Sequence, residues 1–150
     1  MTAQNQTFRV VLDTNQVVGA GTGWMDHGRP APDPNICRRV LIRVAETHKG
    51  LYCGKIMGEY IEKLLDLSHP PQRALKMITY LMGAFDRVAV ITKAAPFKPT
   101  DPDDEIFLLC AIDGHAHYLV SEDAALLALI PSYTSPIIGK SADLAPALGA

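Results

Sequence analysis

Hydrophobic positions along this chain follow two periods in turn. Short apolar runs recur at residues 10–12, 50–53, 87–91, 117–120 and 135–138. Their lengths, with the two valines of the first, predict strands with both faces covered. Longer stretches between them carry apolar residues at helical spacing. Residues 34–47 align Ile36, Val40, Leu41 and Val44, and residues 55–67 align Ile56, Tyr60, Ile61, Leu64 and Leu67. Residues 71–85 align Leu75, Ile78, Leu81, Met82 and Phe85, and residues 103–113 align Phe107, Leu108 and Ala111. Strands alternating with helices predict an α/β fold of three layers, a mostly parallel central sheet of about five strands with helices on both faces. No internal repeat interrupts the pattern, so one domain is expected over residues 1–150.

Composition narrows the function classes. Apolar residues make up 48% and charged residues 20%, as in ordinary globular domains, and the net charge of −2 offers no global attraction to nucleic acid. Contacts with RNA or DNA must then come from local cations or bound metal ions. Cys37, Cys53 and Cys110 are widely spaced without a CxxC pair, which fits a reducing cytoplasm, with Cys53 and Cys110 as small core residues. Residues 1–7 are polar and lack the charge and apolar stretch of a signal peptide. No apolar run reaches bilayer length, so a cytoplasmic protein with no membrane partner is expected.

Acidic residues mark the ends of the predicted strands. The first run stops at Asp13-Thr14-Asn15, and ligands of open α/β sheets sit at the carboxyl ends of the strands. Glu59 follows the second strand by less than two helical turns, on a polar face with Glu62 and Asp66. Asp101-Pro-Asp-Asp-Glu105 opens a helix, with Asp101 placed to cap it and Pro102 at its first position. Asp104 differs from its neighbours because it precedes Phe107, Leu108 and Ala111 on the inward stripe, where an acid needs a partner. Asp123 follows the fourth strand in Ser121-Glu-Asp, where Ser121 can cap the next helix. Capping explains each acid separately. It does not require all of them at one sheet edge, as a divalent cation site does.

Taken in order, Val11-Leu-Asp-Thr-Asn15, Gly58-Glu-Tyr60, Asp104-Glu-Ile-Phe-Leu-Leu-Cys-Ala111 and Leu119-Val-Ser-Glu-Asp123 resemble the PIN domain family. The resemblance runs from the first strand to about residue 138 and is closest to bacterial stand-alone members, which include VapC-like toxin components of toxin–antitoxin pairs. It implies a ribonuclease whose acidic quartet, here Asp13, Glu59, Asp104 and Asp123, binds Mg²⁺ or Mn²⁺. Asp13 and Asp123 would then be direct ligands, while Glu59 and Asp104 ligate through water or position the nucleophile. Asn15, Ser121 and Thr14 would support them as hydrogen-bonding groups. Asp101 and Asp103 remain alternatives to Asp104. Gln16 stands where an apolar residue is usual, and Glu122 adds an acid beside Asp123. The resemblance also implies an RNA substrate, a cognate antitoxin partner and a homodimer. The alternatives are a PIN nuclease of RNA processing or DNA repair, or a non-catalytic PIN-like binding module.

An RNA strand also needs cations. Arg38, Arg39, Arg43 and Lys55 are the candidate phosphate contacts, with Lys93 and Lys98 near predicted strand ends. The glycines of Gly19-Ala-Gly-Thr-Gly23 do not match a dinucleotide-binding loop, since Trp24 occupies the last glycine's place. Residues 19–33 are expected to form a loop bordering the acidic edge. His115 and His117 lack further ligands for a zinc site and are expected to be structural.

Overall fold

The first apolar run becomes the middle of the sheet. Strand β1 (Arg9–Leu12) places Val10, Val11 and Leu12 with no exposed surface, as a strand flanked on both sides and covered on both faces requires. This computed structural model describes residues 6–21, 35–66 and 70–150. After β1 come α1 (Thr14–Ala20), α2 (Ile36–Thr47), β2 (Lys49–Tyr52), α3 (Gly54–Asp66) and α4 (Pro71–Ala84). Strand β3 (Asp86–Arg87) leads to a 3₁₀ turn (Pro102–Asp104), α5 (Glu105–Asp113), β4 (Tyr118–Val120) and α6 (Ala124–Leu127). A second 3₁₀ turn (Ile130–Ser132), β5 (Ile137–Gly139) and α7 (Ser141–Leu148) complete the described chain.

Among the described residues all pairings are parallel, in the order β3-β2-β1-β4-β5. Val11 stands opposite both Leu51 and Leu119, and Leu119 opposite Ile138, so four strands end nearly level. Helix α2 packs on α1 and α7, and α3 packs on α1 and α4, while α5 lies against β1, β2 and β4. The expected three-layer α/β architecture is present. Chain order reverses at β1, whose neighbours are β2 and β4, and that reversal leaves a crevice outside their carboxyl ends. Among the described residues, no helix is long and apolar enough to cross a membrane.

Several boundaries differ from expectation. The strand expected at residues 87–91 is only Asp86–Arg87. Val88 N–H still donates to Tyr52 O, but farther on the backbone turns to side chains: Ile91 and Thr92 N–H donate to Asp113, and Ala95 N–H to Glu105. Helices α1 and α7 were not expected, while α6 is the helix anticipated after the fourth strand. Gly19 and Ala20 close α1 instead of opening the anticipated loop, whose residues 22–33, with Trp24, lie outside the described residues. His117 Nδ1 accepts from Arg9 N–H at 2.9 Å, the structural role expected of it.

Candidate active site at the carboxyl ends of the strands

Asp13 begins where β1 stops. Its N–H still donates to Val120 O at 2.9 Å, while its side chain caps α1 by accepting from Thr14 N–H at 2.7 Å. The other carboxylate oxygen accepts from Ser121 Oγ at 2.6 Å and Asn15 Nδ2 at 3.2 Å. Ser121 also accepts from Asp123 N–H at 2.9 Å, so one hydroxyl ties the two central strand ends together. The helix cap after β4 is not Ser121, as its sequence position indicated, but Asp123 itself, which accepts from Ala125 N–H at 3.1 Å. Glu59 reaches back from α3 and accepts from the buried Thr14 hydroxyl. Tyr60, next to it, sends its hydroxyl inward to Leu12 O, locking α3 against the end of β1.

Of the three aspartates at residues 101–104, only Asp104 turns inward. Asp101 is exposed and caps the 3₁₀ turn through Asp103 N–H, and Asp103 is exposed as well. Asp104 is 8% exposed, and its Oδ2 is buried without a hydrogen-bond partner. Burial, the hydrogen bond it makes with Asp123, and the charges of Asp123, Asp13 and Asp101 raise its pKa to about 8. Asp13 is raised to about 6, chiefly by burial; bonds from Ser121 and Thr14 oppose this, and the charges of Asp123 and Glu59 add to it. These couplings identify the four acids as one electrostatic group at one edge.

Glu122, the extra acid of the sequence, is not part of that group. Its carboxylate accepts from Gln16 Nε2 at 2.9 Å, Ser141 N–H at 2.8 Å and Ser141 Oγ at 3.0 Å. Partial burial works against its ionised form, but these bonds and the Lys140 charge win and lower its pKa. Gln16, fully buried, also donates to Asn15 Oδ1 at 3.1 Å and so braces the residue that orients Asp13. Sequence reasoning missed that role, and its one signal was a polar residue at a usually apolar place.

The cations divide. Arg38 is only 2% exposed, with Nε donating to Ala20 O at 3.0 Å, so it is not available to an RNA phosphate. Arg43 donates to Leu148 O, which also contacts His48, the acceptor for Phe8 N–H at the start of β1. It therefore lies at the opposite edge of the sheet from Asp13. Arg39 and Lys55 are exposed, as are Lys93 and Lys98.

Whether a divalent cation suits this edge can be judged from its donors. They are hard oxygens, one of them buried and unpartnered, and two acids are destabilised in their charged forms. Such a set is relieved by a hard cation. Among the described residues, no three His, Cys, Asp or Glu side chains are gathered tightly enough to close on an ion as they stand. Asp13, Glu59 and Asp123 are instead each held by hydrogen bonds from neighbouring groups.

Comparison with curated proteins and with solved structures finds no match. A family model described as PIN domain matches residues 9–125, a span that holds Asp13, Glu59, Asp104 and Asp123. With that match over most of the chain, the protein belongs to the PIN domain family, whose fold is of the nuclease type and whose members generally use divalent metals.

Proposed function

We propose that this PIN domain is a Mg²⁺- or Mn²⁺-dependent endoribonuclease and the toxin of a toxin–antitoxin pair acting in the cytoplasm. The observation that most supports hydrolysis at this edge is Asp104, a buried acid with an unpartnered oxygen whose pKa is raised by the charges of Asp123 and Asp13. Asp13 and Asp123 would hold the ion directly, and Glu59 and Asp104 would hold it through water or position the attacking water. When bound, the ion supplies Lewis acidity, acidifying water and offsetting charge on the phosphoryl oxygens. The protein's part is orientation. Ser121 and Asn15 fix the Asp13 carboxylate, Thr14 fixes Glu59, and the helix cap fixes one oxygen of Asp123. Exposed Arg39 and Lys55 are the remaining candidates from the sequence for phosphate contact.

The test is cleavage of a mixed-sequence single-stranded RNA with Mn²⁺ or Mg²⁺. Activity should vanish in excess chelator and fall at least about 100-fold in Asp13→Asn, as removal of a catalytic electrostatic group does. The variant should keep its circular dichroism spectrum. Induction in cells should arrest growth with the wild type and not with Asp13→Asn. Undiminished cleavage in chelator rules out the metal-dependent mechanism, and harmless induction of an active enzyme rules out the toxin role.

A further inference from the structure

Beside the acidic edge, a cavity of about 600 Å³ opens where β2 and β3 end. Its volume falls in the range of about 300–1,000 Å³ typical of small-ligand sites. Lys55 and Arg87 line it, together with Cys53 and an apolar wall of Val88, Val90 and Ile106. Both cations are exposed, and among the described residues no carboxylate pairs with either. None of the four acids lines it, but it neighbours two of them along the chain: Lys55 lies one helical turn before Glu59 on α3, and Ile106 lies two residues beyond Asp104. The Arg87 guanidinium lies over Gly54, where an added Cβ would stand 3.3 Å from its nitrogen. The wall is also fixed. Val88 N–H donates to Tyr52 O at 2.7 Å, and Asp113 holds the backbone just beyond at Ile91 and Thr92.

A nucleic-acid strand presents the complementary pattern, a singly charged phosphate and a flat base face at each residue. We propose that this cavity is a nucleotide subsite, in which Lys55 and Arg87 hold a phosphate flanking the one to be cleaved and the base lies against Val88, Val90 and Ile106. The inference rests on the RNA-cleavage function proposed above and adds where the strand runs, from the acidic edge outward over β2 and β3. Arg87 supplies a planar donor fork suited to phosphate and a face on which a base can stack, and Lys55 supplies a point charge. Neither function is available to the buried Arg38 or the distant Arg43.

Cys53 gives the cavity its own reporter. The Cys110 thiol hydrogen bond lowers its pKa to about 6 against the opposing effect of burial, helped by Ile56 and Lys55 N–H groups and the Lys55 charge. Cys37 is shifted up, chiefly by burial, and Cys110 is also shifted up, so Cys53 is the thiol of the three whose pKa is lowered. The experiment is fluorescence anisotropy of a labelled single-stranded RNA dodecamer in excess chelator, over a series of salt concentrations. Lys55→Ala and Arg87→Ala should each weaken binding several-fold and lower the salt slope by about 0.7, the value for one lost phosphate contact on a single strand. Lys63→Ala, farther along α3, should change neither quantity. In the wild type, the same RNA should slow alkylation of Cys53 by iodoacetamide. Salt slopes unchanged in both variants, or Cys53 labelling indifferent to RNA, overturn the subsite. Cleavage by the wild type with Mn²⁺ is measured alongside. If it occurs while binding ignores Lys55 and Arg87, the subsite alone is wrong; if RNA binds as stated and no cleavage occurs, the nuclease proposal alone is wrong.

Discussion

One hydroxyl holds two strand ends at the acidic edge, since Ser121 Oγ donates to Asp13 and accepts from Asp123 N–H. Hydrogen bonds of this kind position the carboxylates without removing their mutual repulsion, and that leaves a signature in pH. Asp13 and Asp104 titrate at about 6 and about 8 in the folded protein, against 3.8 for an unperturbed aspartate. Between those values the folded state retains protons that the unfolded chain has released. Stability of the chelator-treated protein should therefore fall as pH rises from about 4 to about 8. Saturating Mn²⁺ should flatten the decline, because an ion bound only to the folded state favours the ionised acids. Melting temperatures across that range, with chelator and with Mn²⁺, check both statements; a chelated protein that gains stability over the interval contradicts them. Asp13 and Asp123 were legible in the sequence because each follows an apolar run that had to be a strand. The helical phase favoured Asp104 but left Asp101 and Asp103 open, and only burial in the fold distinguishes them. The bracing by Gln16 was not legible, since it depends on Glu122 and Ser141 meeting across chain segments far apart.

Among the secondary elements, β2 and α4 meet through a contact with no slack. A Cβ added to Gly50 would stand 2.4 Å from ring atoms of Phe85, which is buried. Gly50→Ala should cost about 1–3 kcal/mol of unfolding free energy, as overpacking does. Phe85→Leu introduced with it should recover part of that loss, so the two effects should not add. Denaturant unfolding of the single and double variants measures the coupling, and additive losses would show that the ring yields freely. The α2 to α5 helices were readable because each carries a long apolar stripe. Helices α1 and α7 were hidden for specific reasons: the first begins on residues that read as a strand end, and the second contains Pro146. Strand β3 was overestimated because Val88, Val90 and Ile91 look like a strand, yet Asp113 captures the backbone N–H groups at Ile91 and Thr92.

Over the whole molecule, α3 and α4 present exposed apolar side chains that gather in one place. Ile61, Leu65 and Leu75 are 39%, 48% and 67% exposed and share one shallow groove. The homodimer expected from the family resemblance would cover them, and such a patch is the kind of surface that oligomers bury. Light scattering should return twice the chain mass of 16.3 kDa for the wild type and the single mass for Leu75→Glu. A wild type that stays at the single mass when concentrated removes the proposed dimer.

The order β3-β2-β1-β4-β5 has one more result, concerning time. The central strand is made first, yet one of its two neighbours is made only after α5, and Asp123 follows that neighbour. During synthesis, then, the growing polypeptide carries its first acid for more than a hundred residues before the last can join it. A protein able to damage its own host's RNA would stay harmless through that interval, with completion of folding as its first safeguard.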